Sequence, residues 1–165
     1  MEILMNKNCI ITGATDGIGK QTALDLAKLG YNIGLVGRNQ EKGNKVLDEI
    51  ASETGNHNLK YFKADLSIIK NLDNLANDIK REYNSIDILI NNAGAYFSKY
   101  SETEEQLEMT FALNHLSYFQ LTMLLIDAIE FEIPGRVINV ASSAHFGAKL
   151  YLNDIQMKKK YKGWT

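Results

Sequence analysis

The sequence predicts an α/β protein with a parallel sheet and helices on both faces, and three observations carry that expectation. Apolar runs of strand length alternate with longer segments of helical period. A glycine-rich turn lies directly between the first strand and the first helix. Polar residues follow the ends of several strands, where an open parallel sheet gathers ligands.

The strands are expected at Cys9–Thr12, Asn32–Val36, Leu59–Phe62, Ile86–Ile90 and Arg136–Val140. Between them Val46, Leu47, Ile50 and Ala51 mark one amphipathic helix face, and Leu72, Leu75, Ala76 and Ile79 mark another. Gly30 is placed to cap the end of the first helix. Thr103 and Gln106 have the spacing of a capping box opening the fourth. Pro134-Gly135 reads as a turn before the fifth strand. From Lys149 onward the chain is basic and shows no core face, which predicts loop or a short helix.

At 165 residues the chain has room for one domain with a sizeable core. A hydrophobic fraction of 45%, a charged fraction of 23% and a net charge of −2 give no reason to expect nucleic acid or an anionic membrane as partner. Cys9 is the single cysteine, so no internal disulfide forms and a reducing compartment is expected. The opening Met1-Glu2-Ile3-Leu4-Met5-Asn6-Lys7 lacks the pattern of a signal peptide, and no apolar run reaches membrane-spanning length. A cytoplasmic location is the expectation.

Thr12-Gly13-Ala14-Thr15-Asp16-Gly17-Ile18-Gly19 holds the chemistry of the first turn. Glycines there let backbone N–H groups approach a pyrophosphate at a helix N-terminus, where the dipole favours negative charge. The plain alternative is a tight turn with no ligand. Further along, Asp65-Leu66 follows the third strand, Asn91-Asn92-Ala93-Gly94 the fourth and Asn139-Val140-Ala141-Ser142-Ser143 the fifth.

These segments, in this order, resemble the short-chain dehydrogenase/reductase family across essentially the whole chain. Asn114-His115-Leu116-Ser117-Tyr118-Phe119-Gln120-Leu121-Thr122 and Ser143-Ala144-His145 are most similar to its retinol-dehydrogenase-like branch. The resemblance implies a three-layer α/β/α, Rossmann-like, doubly wound sheet in strand order 3-2-1-4-5. It implies hydride transfer between a nicotinamide cofactor and an alcohol or carbonyl compound. Cofactor contacts are then expected from Gly13, Thr15, Asp16, Gly17, Ile18, Gly19, Arg38, Asp65, Leu66, Asn91, Ala93 and Gly94, and no metal is expected.

Two catalytic residues are implied as well. Leu107, Phe111, Asn114, Tyr118, Leu121 and Leu125 share one helical face, where an unbonded buried amide costs roughly 1–3 kcal/mol. Asn114 therefore reads equally as a satisfied structural amide; the resemblance makes it the active-site Asn that orders a water. His115 points to another face. Ser142 matches the family's catalytic serine, which hydrogen-bonds the substrate oxygen as charge develops. Ser143 is its competitor, and His145 and Phe146 fall where the family walls its substrate pocket.

Cofactor choice rests on Gly37-Arg38. An NAD site has a carboxylate after the second strand, whereas a 2′-phosphate asks for positive charge, which Arg38 supplies if it is not simply a solvated surface residue. NADP is expected over NAD, with Asp16 running mildly against it. The family also requires a tyrosine with a lysine four positions on, and no tyrosine here has one; Tyr151 meets Ile155 and Tyr161 meets Thr165 at that offset. The resemblance places that tyrosine beyond Thr165, so the sequence reads as the front part of a longer enzyme, inactive by itself, with the C-terminal part of the family fold missing. The alternatives are a non-catalytic nucleotide-binding module and a truncated product. A small-molecule substrate is the expected partner, and a homo-oligomer is possible.

Overall fold

A computed structural model describes residues 7–129, 135–159 and 161. Five parallel strands form one sheet: β1 (Asn8–Thr12), β2 (Asn32–Gly37), β3 (Leu59–Lys63), β4 (Ile88–Asn91) and β5 (Arg136–Asn139), ordered β3-β2-β1-β4-β5. The expected strands and order are those observed. Ile86 falls outside β4 and makes only an isolated bridge to Ile129. The turn expected at Pro134 lies outside the described residues.

Helices cover both faces, so the inner strands are apolar on both sides rather than alternating. On one face Ile10, Val36, Phe62 and Leu89 pack with Leu72, Leu75, Ala76 and Ile79 of α3 (Leu72–Glu82) and with Leu121 and Leu125 of a later helix. On the other, Cys9, Ile11, Ile33, Leu35, Tyr61 and Ile90 pack with Ala23 and Ala27 of α1 (Gly17–Lys28) and Val46 and Ile50 of α2 (Gln40–Thr54). Consecutive residues of β1 thus feed opposite layers, as the two-residue strand period demands. Burial, and then the charge of Asp87, push the Cys9 thiol up, so it is protonated and inert.

The helix ends obey local chemistry. Gly30, at φ +85°, ends α1 with its N–H on Ala27 O and that of Tyr31 on Leu26 O, a paired closure that needs the left-handed conformation. Asn39 caps α2 by accepting from the Lys42 N–H.

The Thr103–Gln106 capping box is not what opens the fourth helix. Thr103 closes a turn, accepting from the N–H groups of Glu105 and Leu107, and Gln106 has φ +60°. The helix begins at Met109, and its cap is the buried carboxylate of Glu108, which accepts from Thr110 and Phe111. It runs as α4 (Met109–Phe111), a π-helical turn Ala112–Leu116, and α5 (Ser117–Leu125). The π turn adds a residue to the repeat, so the buried line is Ala112, Ser117, Leu121 and Leu125. Asn114 is exposed rather than set in an apolar stripe.

Beyond β5 the described residues up to Lys159 are mostly exposed turns. They are nonetheless tied down: Lys158 pairs with Glu102 at 2.8 Å, and the Tyr161 hydroxyl donates to Phe97 O at 2.7 Å. No helix of the described residues is long and apolar enough to cross a membrane.

Candidate functional site

At the carboxyl edge of the sheet one buried hydroxyl joins two loops. Thr12 Oγ1, at the end of β1, accepts the N–H groups of Asn92 at 2.9 Å and Ala93 at 3.0 Å, just past β4. The Asn92 amide donates back to Thr12 O at 2.9 Å and Gly13 O at 3.3 Å. Two glycines are fixed by that contact. A Cβ on Gly13 would lie 2.7 Å from Ala93 Cα, and one on Gly19 would lie 2.5 Å from Gly13 O. Gly17 differs: its φ is +49°, and a Cβ there would meet nothing within 4 Å. The loop is packed hard from below and open from above, where the first-turn N–H groups of α1 lack intrahelical acceptors.

That opening is a cleft of about 470 Å³. The first loop lines it with Gly13, Thr15, Asp16, Gly17 and Ile18, the end of β2 with Gly37 and Arg38, and the turn after β3 with Ala64 to Ser67. Asn92 to Ala95, Phe97, Met109 and Leu113 close the remaining side. Arg38 is exposed and makes no ion pair or hydrogen bond among the described residues. Asp65 Oδ1 accepts both the N–H and the hydroxyl of Ser67, at 3.0 and 2.7 Å, leaving Oδ2 open. Asp16 caps α1 and pairs with Lys42 at 2.6 Å. The Lys42 hydrogen bond, then that of the Gly17 N–H, holds its carboxyl below the usual range.

Most of the expected cofactor residues meet in this cleft: Gly13, Thr15, Asp16, Gly17, Ile18, Arg38, Asp65, Leu66, Ala93 and Gly94. Two do not. Gly19 is buried beneath the loop as its packing floor. Asn91 is fully buried in the sheet, its amide donating to Thr122 Oγ1 at 3.0 Å and Asn139 Oδ1 at 2.9 Å. Its neighbour Asn92 lines the cleft instead, because successive residues leaving a strand face opposite ways. Ser67, Ala95, Met109 and Leu113 also line it without having been singled out in the sequence; only folding brings them there.

Asn114 stands beside the cleft. Its Nδ2 donates to Ala95 O at 2.9 Å and its Oδ1 accepts from Ala95 N at 3.0 Å, so the π turn holds the loop after β4 by both ends of one amide. Ser142 is exposed past β5; its Oγ accepts from Ala144 N at 3.1 Å, which leaves the hydroxyl proton free to donate. His145 Nδ1 lies 2.5 Å from Ser142 O, and Phe146 is exposed beside it. Neither Ser142 nor His145 lines the cleft.

The residues present suit a dinucleotide: an open glycine loop at a helix start, an uncommitted guanidinium after β2 and a half-used carboxylate after β3. Known proteins agree with that geometry. The family model for short chain dehydrogenases matches residues 7–150. Over 156 residues the chain is 42% identical to retinol dehydrogenase 13 of Homo sapiens, which spans 94% of this chain and 47% of that protein. Retinol dehydrogenase 11 of Homo sapiens is 39% identical over 158 residues, 96% of this chain and 50% of that one. The chain thus spans about half the length of the curated relatives it matches. A crystal structure of a protein from Mycobacterium paratuberculosis superposes with a TM-score of 0.82 at 28% identity, covering 98% of this chain and 56% of that one. A short chain dehydrogenase from Escherichia coli CFT073, complexed with NADPH, superposes with a TM-score of 0.73 at 26% identity, covering 88% and 63%. With the family model spanning most of its length and its motifs folded into one cleft, this chain belongs to the short-chain dehydrogenase family, in its retinol-dehydrogenase-like branch.

Proposed function

We propose that the cleft binds NADP in preference to NAD, and that the chain is the cofactor-binding part of an oxidoreductase interconverting an alcohol and a carbonyl compound. The carrying observation is Arg38, exposed, unpaired among the described residues and on the cleft wall where a ribose-reading carboxylate would stand in an NAD site. Solved relatives complexed with NADPH or NADP support the same choice. When bound, the nicotinamide supplies the hydride chemistry. The chain's own residues hold and orient it: the glycine loop receives the pyrophosphate, Asp65 Oδ2 is free to accept from the adenine amine, and Arg38 meets the 2′-phosphate.

Asn114 and Ser142 belong to the catalytic end of this reading. The family resemblance supports both roles; the paired bonds of Asn114 to Ala95 support a positioning part for it. The relatives' names, retinol dehydrogenase and polyprenol dehydrogenase, favour an apolar alcohol or the matching aldehyde as substrate. We propose a cytoplasmic setting, because Cys9 is the single cysteine of the sequence and no internal disulfide can form.

Titration with 2′-phospho-ADP-ribose and ADP-ribose tests the cofactor choice, since they differ only at the deciding group. The phosphorylated ligand should bind more tightly, and Arg38→Ala should erase most of that difference. Equal affinities, or a preference that survives Arg38→Ala, would overturn it.

A further inference from the structure

Asp16 is an odd residue to find on the rim of a site for phosphates. It is ionised at neutral pH, 83% exposed at its side chain, and lines the cleft from the glycine loop. Its Oδ2 lies 2.6 Å from Lys42 Nζ. Lys42 sits in the first turn of α2, four residues after Arg38, and its backbone N–H is fixed by the Asn39 cap. The pair therefore joins the starts of α1 and α2, and its Asp16 member shares the lining of the cleft with Arg38. Lys20, the other cation acting on Asp16, is committed to Glu49 on α2.

A 2′-phosphate carries close to two negative charges at neutral pH and three strong acceptor oxygens. It is a better partner for an ammonium than one exposed carboxylate, and a lysine's flexible stem lets it change partner. While Asp16 is present, a phosphate drawing Lys42 away leaves that carboxylate uncompensated beside a dianion. We propose that Asp16 and Lys42 act as one coupled pair that sets how strongly the cleft selects a 2′-phosphorylated nucleotide, Asp16 withholding the Lys42 ammonium and so reducing the selectivity that Arg38 confers. The inference rests on the NADP reading above and adds the residues that tune it.

A double-mutant cycle on this chain tests it, with calorimetric titration of 2′-phospho-ADP-ribose and ADP-ribose and the ratio of their dissociation constants as readout. Asp16→Asn keeps the helix cap, since Asn caps as well as Asp. It should raise selectivity for the phosphorylated ligand about two- to fivefold, the range an exposed ion pair commands. In the Lys42→Met background the same substitution should give a clearly smaller gain, because only repulsion is relieved and no ammonium is released. Equal gains in the two backgrounds, or none in either, would overturn the pair. Arg38→Ala run alongside separates the two failures. A preference that depends on Arg38 but ignores the pair sinks this inference alone, whereas indifference to Arg38 sinks the NADP reading.

Discussion

Thr12 shows how much one side chain organises here. Its hydroxyl oxygen serves two N–H groups of the loop after β4, and it is 1% exposed, so no water replaces it. Thr12→Val keeps the shape and removes the acceptor, at about 1–3 kcal/mol for each orphaned donor. Urea denaturation should show that loss, and Thr12→Ser should recover most of it; equal stability for the two variants would refute the bonding role. We expect Ser142 to matter for chemistry rather than for stability. In a protein that includes the remaining half found in the relatives, Ser142→Ala should cut the catalytic rate strongly and leave cofactor affinity near normal. A rate that falls with Ser143→Ala instead would move the serine assignment by one residue.

At the scale of elements, α2 is held at both ends by terms separable from its core. Asn39 caps its start and Gly55, at φ +69°, ends it in the left-handed region. Asn39→Ala and Gly55→Ala should each cost about 1 kcal/mol, the first by freeing the Lys42 N–H and the second by backbone strain. The sites lie a whole helix apart, so the double variant should lose close to the sum. Chemical denaturation of the four proteins checks this; a strongly sub-additive result would mean that the ends frayed together. The π turn makes the opposite point. Its added residue lets Ala112 and Ser117 both face the core while Asn114 turns outward to Ala95.

At the largest scale, the two edge strands of the sheet formed by the described residues differ. β3 carries Lys60 and Lys63 along its five residues, charges of the kind that discourage another strand from docking. β5 has only Arg136 at its start, and Ile138 is 42% exposed. We expect the 165-residue chain to self-associate through β5, and Ile138→Lys to reduce light scattering at equal concentration. Unchanged scattering would place the contact elsewhere, with exposed Phe119 and Met123 of α5 the next surface to test. We also expect no dehydrogenase turnover from these residues alone. A general acid contributes about 10²–10⁴ in rate, and the sequence supplies no tyrosine–lysine pair to act as one. Measurable, Ser142-dependent oxidation of NADPH with an aldehyde panel would contradict that.

Local chemistry alone determined the strands, the Gly30 closure and the glycine loop, because each depends on neighbours a few residues away. The motifs also determined the sheet order and most of the cleft, since strand ends in this topology converge whatever the loops between them do. The start of the fourth helix was decided only in three dimensions: Thr103 had the spacing of a cap, but Glu108, whose own N–H donates to Gln156 Oε1, took the role. The same holds for Asn91 and Asn92, where the strand's exit direction decided which amide was buried. A regular 3.6-residue repeat would set Asn114 in the apolar stripe of Leu107, Phe111, Tyr118, Leu121 and Leu125. The π turn breaks that repeat, and no pattern in the local sequence announces a turn that packing against the sheet selects. The Asp16–Lys42 pair joins residues 26 positions apart, and only the docking of α2 beside α1 brings those two charges within 2.6 Å.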